Sequence, residues 1–229
     1  FLAEFAGNRE APEARLLLGR LQRLSGDSKT AAETYLALYK EVAAGTPGYP
    51  PRLSFQAGLR TGEAYLATKD AAKARELFLG LDAALGTALA ALGDNDPLRP
   101  LFTSLQSEAR LGEGYCLLAS GSLSQAKTFF QSQVTAAEKQ AARRFGARLG
   151  LGEALLAEGN ARAAELEFAQ VSAIDHTDQD RTARALVGLA ESALALNARN
   201  DAKLWLETVR TQHGDTPAAL RAQELLQKL

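Results

Sequence analysis

Two histidines, one cysteine, two glycine pairs and one arginine cluster are the residues of this chain whose chemistry could be put to use. An imidazole can ligate a metal or move a proton near neutral pH. His176 and His213, however, stand far apart and each lies beside a predicted helix end, where a solvated or carbonyl-capping side chain is the reading they support. Cys116 falls two residues after Gly114 inside a helical pattern, so it reads as a small core residue and not as a thiolate nucleophile. Gly112, Gly114, Gly150 and Gly152 resemble pieces of a phosphate loop. They follow no predicted strand, which removes the geometry a phosphate cradle needs, and they read as places where helices touch. Arg143, Arg144 and Arg148 with Lys139 could meet phosphate or anionic lipid, but Glu138 precedes them and no aromatic residues are interleaved, so the expectation is a solvated helix face. No catalytic residue, metal site or cofactor follows from these residues, and the expectation is that the chain is not an enzyme.

The elements that carry these residues are helical throughout. In a chain of 229 residues, 46% hydrophobic and 23% charged with a formal net charge of -1, bulk electrostatics nominate no nucleic acid and give no sign of membrane attraction. A single cysteine excludes an internal disulfide and any thiolate-rich metal cluster. No apolar run reaches the roughly 18 to 20 residues of a membrane-spanning helix. The chain opens at Phe1 and contains no Met, so the expectation is that the natural N-terminus lies upstream.

Apolar residues recur at helical spacing, and turn signals cut them into segments. Phe1 to Phe5 read as the last turn of a helix. Pro12 suits the first turn of the next, whose apolar side is Leu16, Leu17, Leu21 and Leu24. Asp27 and Ser28 cap a helix over about 29–44, and the GTPGYPP run over 45–51 is a loop. A helix over about 52–68 is followed, after Lys69 and Asp70, by a long helix running to Gly93. The stretch Asp94-Asn95-Asp96-Pro97 breaks that helix and caps the next, over about 98–120. The following break lies near 135–139, a further hairpin ends near 174–177, and Gly214-Asp215-Thr216-Pro217 starts a last helix to Lys228. On the long helix, Leu81, Leu85, Leu89 and Leu92 read as core.

One unit repeats. Gly152, Gly159, Ala164 and Phe168 recur as Gly114, Gly121, Ala126 and Phe130, and as Gly62, Ala74 and Phe78 with Lys69 at the turn. Ala190, Asn197, Ala202 and Leu206 make a degenerate copy. The alanines Ala31, Ala74, Ala126, Ala164 and Ala202 are spaced 43, 52, 38 and 38 residues apart, which is the period of a two-helix repeat.

This pattern resembles the tetratricopeptide repeat (TPR), in which small residues let antiparallel helices touch and an aromatic fills the space between repeats. The family's tryptophan is replaced here by Gly58, Arg110 or Arg148, and the spacing exceeds the usual period of about 34. The longer period resembles the kinesin light chain class, and Leu92-Gly93-Asp94-Asn95-Asp96-Pro97 is similar to a break in that class, without its histidine.

The resemblance implies an all-α right-handed superhelix, a TPR-like solenoid of about five hairpins in one domain over 1–229. The repeats fall at about 11–46, 51–93, 97–136, 139–175 and 179–213, with a cap at 216–229. It further implies a non-enzymatic interaction scaffold that binds a partner segment in the groove lined by the first helices. The specific expectation is a cytoplasmic, kinesin light chain-like adaptor that meets a tubulin-like filament or links it to membrane. The alternative is a bacterial envelope TPR lipoprotein or periplasmic assembly factor, periplasmic or membrane-anchored. Carried onto this sequence, the family's groove positions are Glu13, Arg20, Gln56, Glu63, Glu108, Tyr115, Glu153, Arg184 and Glu191. The residues that clamp a C-terminal carboxylate in chaperone-binding TPRs are missing. Four of the nine groove residues, Glu63, Glu108, Glu153 and Glu191, make the groove acidic, so the expected partner is a basic or amphipathic peptide or helix.

Overall fold

The computed structural model of the protein describes residues 10–44, 50–137, 141–175 and 178–229. The expectations for the segment Phe1 to Phe5, for residues 45–49 of the loop, and for Glu138, Lys139 and His176 lie outside the described residues. Within them the protein is all-α, with eleven helices and no strand. The chain forms two compact units, Phe1–Ala119 and Ser120–Leu229.

The first unit holds α1 (Ala11–Leu24), α2 (Ser28–Ala43), α3 (Pro51–Ala67), α4 (Ala71–Ala91) and α5 (Arg99–Ala119). Each helix packs on its neighbour in sequence, and α3 also packs on α1 and α5. The expected long helix is α4, at 21 residues, and α5 equals it in length. Leu81 and Leu85 of α4 are buried, with Leu89 and Leu92 partly buried against the same cluster, so that face is core as the spacing predicts. Asp96 Oδ1 accepts from the Leu98 N–H at 2.8 Å just before α5, and Arg99 donates to the carbonyls of Leu89, Leu92 and Gly93, closing the C-terminal end of α4.

The second unit holds α6 (Leu123–Ala136), α7 (Ala141–Ala157), α8 (Ala161–Ile174), α9 (Gln179–Ala195), α10 (Arg199–Gln212) and α11 (Pro217–Leu226). Here too consecutive helices pack together, with α9 additionally against α7 and α11. The expected break after Thr135 is met on its described side by the end of α6 at Ala136. Thr216 is the N-cap of α11 and Pro217 opens it, but the Thr216 hydroxyl donates backwards to the His213 carbonyl at 2.7 Å and caps no N–H.

Local chemistry explains where the hairpins turn. Asp27, Asp70 and Asn160 each accept from a backbone N–H three residues on, at 3.0, 3.2 and 3.3 Å, which satisfies one orphan donor at the start of α2, α4 and α8. Just before the second helix of each hairpin the chain passes through the left-handed region, at Gly26, Gly121 and Gly159 and, without a glycine, at Lys69 (φ 63°) and Asn197 (φ 62°), although Ser122 and Ala198 that follow Gly121 and Asn197 make no side-chain cap bond. In this conformation the N–H of the following residue bonds back into the last turn of the preceding helix, as Asp70 to Tyr65 at 2.8 Å and Asn160 to Leu155 at 2.9 Å, tying that helix off.

Candidate partner-binding face

The repeats position their side chains by alternating glycine and aromatic. Phe168, fully buried on α8, lies across Gly152 of its own hairpin and Gly188 of the next first helix. A Cβ on either glycine would come to 2.7 Å and 2.5 Å from the ring. Phe78 of α4 stands in the same relation to Gly62 and Gly112, Phe130 covers Gly150, and Tyr35 covers Gly19. Because helix backbones approach closely where Cβ is absent, Phe78 locks α3 against α5 and Phe168 locks α7 against α9. The glycines that resembled a phosphate loop are therefore buried in helices. Burying each ring contributes about 1.5–3 kcal/mol.

That packing fixes the spacing of the first helices, and on their outward side charged side chains cross from one to the next. In the first unit the Arg23 guanidinium of α1 reaches Glu63 of α3 at 2.5 Å, Glu63 also accepts from Arg60 at 2.5 Å, and Arg60 lies 3.7 Å from Glu108 of α5. Arg52 of α3 returns to Glu13 of α1 at 3.2 Å. In the second unit Glu153 of α7 pairs with Arg184 of α9 at 2.7 Å, and Glu191 of α9 pairs with Arg221 of α11 at 2.7 Å. The Glu191 carboxylate holds Arg221 more firmly protonated than a free guanidinium. All of these side chains are partly exposed, so each pair contributes about 0–1 kcal/mol and remains in reach of a partner.

The structure thus brings together Glu13, Glu63 and Glu108 in one row and Glu153, Arg184 and Glu191 in another. Tyr115 and Gln56 are half-buried on α5 and α3, and Arg20 is exposed on α1. The expected acidity needs correction: each of the four glutamates faces an arginine, so the rows alternate in charge. Arg23, Arg52, Arg60 and Arg221 complete them and escaped sequence reasoning. Their signal was present as an arginine at a matching height on the neighbouring helix of the row, but residues about 30 to 48 apart reveal such a match only once the hairpins are placed.

Other candidates resolve as packing or ion pairing. Cys116 is buried, and burial pushes its thiol up to about 11, so it carries no thiolate at neutral pH. The expected solvated face of the arginine cluster is corrected at Arg148, which pairs with Glu167 of α8 at 2.6 Å with both side chains largely covered. Arg143 donates to Gln133 at 2.9 Å, and Arg144 lies over the Phe145 ring. His213 is the C-cap residue of α10. Among the described residues no cluster of His, Cys, Asp and Glu could hold a metal ion, and no helix is long and apolar enough to cross a membrane.

Glycine-locked helical hairpins with exposed first-helix rows define a helical repeat protein with a TPR-like fold. Solved structures agree. The chain is similar to a Podosopora anserina protein assigned as a kinesin light chain with nearly identical TPR-like repeats, at 19% identity and a TM-score of 0.50, covering 89% of this chain and 95% of that one. A variant form of that protein matches at 18% identity and a TM-score of 0.50 over 96% and 98% of the two chains. At such identities the likeness speaks to the fold. No protein-family model and no curated protein matches the chain.

Proposed function

We propose that this protein is a non-enzymatic interaction scaffold that holds a segment of a partner protein along the outward rows of its first helices. The observation that carries this reading is the run of ion pairs from α1 through α3 to α5, and from α7 through α9 to α11, each made by partly exposed side chains. Rows of alternating charge do little for stability in water, and they offer both donors and acceptors to a polar backbone or a mixed-charge side-chain stripe. An amphipathic segment with both charges suits them better than a purely basic one, because every added lysine would compete with an arginine already in place.

The test is charge reversal. Glu63, Glu153 and Glu191 changed together to Lys remove partner capture in a quantitative pull-down, whereas Glu33, Glu76 and Glu165, exposed on the second helices, tolerate the same change. Equal capture by both triple variants refutes the assignment. The finer reading is a cytoplasmic adaptor on a tubulin-like filament, supported by the period, the Leu92–Pro97 break and the name of the similar solved arrays. Co-sedimentation with stabilised microtubules checks it, and a chain that stays in the supernatant removes it.

A further inference from the structure

The carboxylates of the second unit's row are only half used. Arg184 donates to Oε1 of Glu153 at 2.7 Å, and Arg221 brings Nε and Nη2 to Oε1 of Glu191 at 2.9 and 2.7 Å. In both glutamates Oε2 takes no bond from a described residue, and the side chains are 32% and 29% exposed. Glu63 of the first unit differs, since Arg23 holds its Oε2 and Arg60 its Oε1. The half-used arrangement also repeats. Glu153 and Glu191 stand 38 residues apart, each one residue after the matching small residue Gly152 or Ala190, and their arginines follow at 31 and 30 residues. One turn further on, Leu156 and Leu194 occupy the same place in α7 and α9, partly buried against the core. A rung of carboxylate, guanidinium and leucine therefore recurs with the hairpin.

We propose that this row binds an α-helix of a partner protein in which a cation, an anion and an apolar residue recur every seven residues. The period follows from the packing. α7 packs on α9 and α9 on α11, so successive rungs lie about 8–10 Å apart, the usual distance between packed helices. Seven residues of an α-helix advance about 10.5 Å and return to the same face. A lysine or arginine of such a helix reaches the open Oε2 of one glutamate, and its successor seven residues on reaches the other. An acidic residue three or four positions along, about 5–6 Å away on the same face, meets the guanidinium of the rung. The apolar residue rests on Leu156 or Leu194.

Other backbones fit the rungs less well. On a strand, residues that face one way are about 6.6 Å and then about 13 Å apart, which straddles the period. A polyproline II segment returns to one face every 9 Å or so, at about 3.1 Å per residue, but brings a single residue there. That residue can serve the carboxylate and not its arginine as well. The first unit does not share the ladder, because Arg23 stands four residues after Gly19 whereas Arg60 stands two before Gly62, and Glu63 has no oxygen left to offer.

Two fluorescein-labelled helical peptides serve as probes. One holds three copies of the heptad Lys-Ala-Ala-Glu-Leu-Ala-Ala, and the other has one more alanine in each copy, which turns every successive set of charges about 100° off the face. Anisotropy titrations against the full chain are expected to show the heptad peptide binding about tenfold more tightly, the combined effect of several exposed charge contacts. Glu153→Gln with Glu191→Gln removes that preference, whereas Glu76→Gln with Glu165→Gln, exposed on the second helices, leaves it unchanged. Circular dichroism melts check that both variants fold, and the comparison of the two peptides on the unaltered chain needs neither. The proposal is overturned if the two peptides bind equally, if neither binds at about 500 µM, or if the preference survives Glu153→Gln with Glu191→Gln. It rests on the rows being the partner face, and the two readings fail separately. Capture that is lost when Glu63, Glu153 and Glu191 are reversed, while the peptides bind alike, overturns the helical period alone; capture that survives the reversal overturns the rows.

Discussion

Adding one methyl group at Gly188 tests whether the rings of the second helices hold the array together. In a helix interior Gly→Ala is ordinarily stabilising by about 0.8–1.0 kcal/mol, because alanine has less backbone freedom to lose. At Gly188 the new Cβ would stand 2.5 Å from Cζ of Phe168, a ring with no exposed surface and with Gly152 close on its other side. The ring has nowhere to go without moving α7 or α9. Overpacking of this kind costs about 1–3 kcal/mol, so the net change at Gly188→Ala runs from near zero to a loss of about 2 kcal/mol. Gly80 provides the reference, since it is exposed on α4 and a Cβ there meets nothing within 4 Å. Gly80→Ala should therefore raise the melting temperature, at about 2–4 °C per kcal/mol for a chain of this size. The assay is thermal unfolding followed by circular dichroism at 222 nm, with Gly188→Ala expected to melt clearly below Gly80→Ala. Phe168→Leu placed in the Gly188→Ala background should recover part of the loss, although alone it destabilises, giving a coupling of about 1 kcal/mol. If Gly188→Ala stabilises as much as Gly80→Ala, the ring does not lock α9 and something other than the glycine–aromatic contacts holds the hairpins in place.

Three further outcomes follow. Lys69→Gly should raise stability by a few tenths to about 1 kcal/mol in urea melts, because a lysine in the left-handed region is strained while glycine is not; Asn197→Gly should gain less, since asparagine tolerates that region. The Asp27 and Asp70 carboxyls lie below the ordinary range, Asp27 chiefly through a side-chain hydrogen bond to Thr30 and Asp70 chiefly through the bond from the Lys73 ammonium, with the backbone N–H of the same residue next in each case. Depressed folded values mean that their contribution is present above the unfolded carboxylate value of about 4 and is lost as pH falls through the lower folded values, so urea midpoints should be flat from neutral to about pH 5 and then drop. Asp27→Asn with Asp70→Asn keeps the caps and should make that acid limb shallower, with the remaining slope left to other ion-paired carboxylates such as Asp175 and Glu167. Finally, Cys116 should react with a disulfide reagent at pH 8 far more slowly in the native chain than in urea, and equal rates would contradict its burial.

How much of this could be read from sequence depends on whether a feature is local or spans two hairpins. The pairing of Gly152 with Phe168 was legible, because a small residue on one helix and a ring sixteen residues on declare a tight hairpin within one repeat. The cap at Asp27 was legible for the same reason, whereas Asp70 was read only as part of the turn after α3 and its cap emerges from the structure. Gly188 drew no notice, since its ring belongs to the preceding hairpin, twenty positions earlier in the sequence. Nor could the sequence show that the chain gathers into two compact units, as that depends on which helices touch.

Charge shows the same limit from the other side. Glu153 and Arg184 were each expected at the partner face from their repeat positions, yet their contact across α7 and α9 changes what the face offers. A glutamate alone attracts a cation, whereas a glutamate bridged to an arginine presents a dipole that a partner must match at both ends. Separating the two gives opposite signatures in binding. Were the glutamates acting as isolated charges, Arg184→Ala and Arg221→Ala would free them and tighten capture of a basic segment, with strong dependence on salt. If the rows act as alternating pairs, the same two changes weaken capture of the natural partner and leave its salt dependence shallow. Tighter binding by the arginine variants would return the face to the simple acidic groove, and with it the expectation of a basic partner.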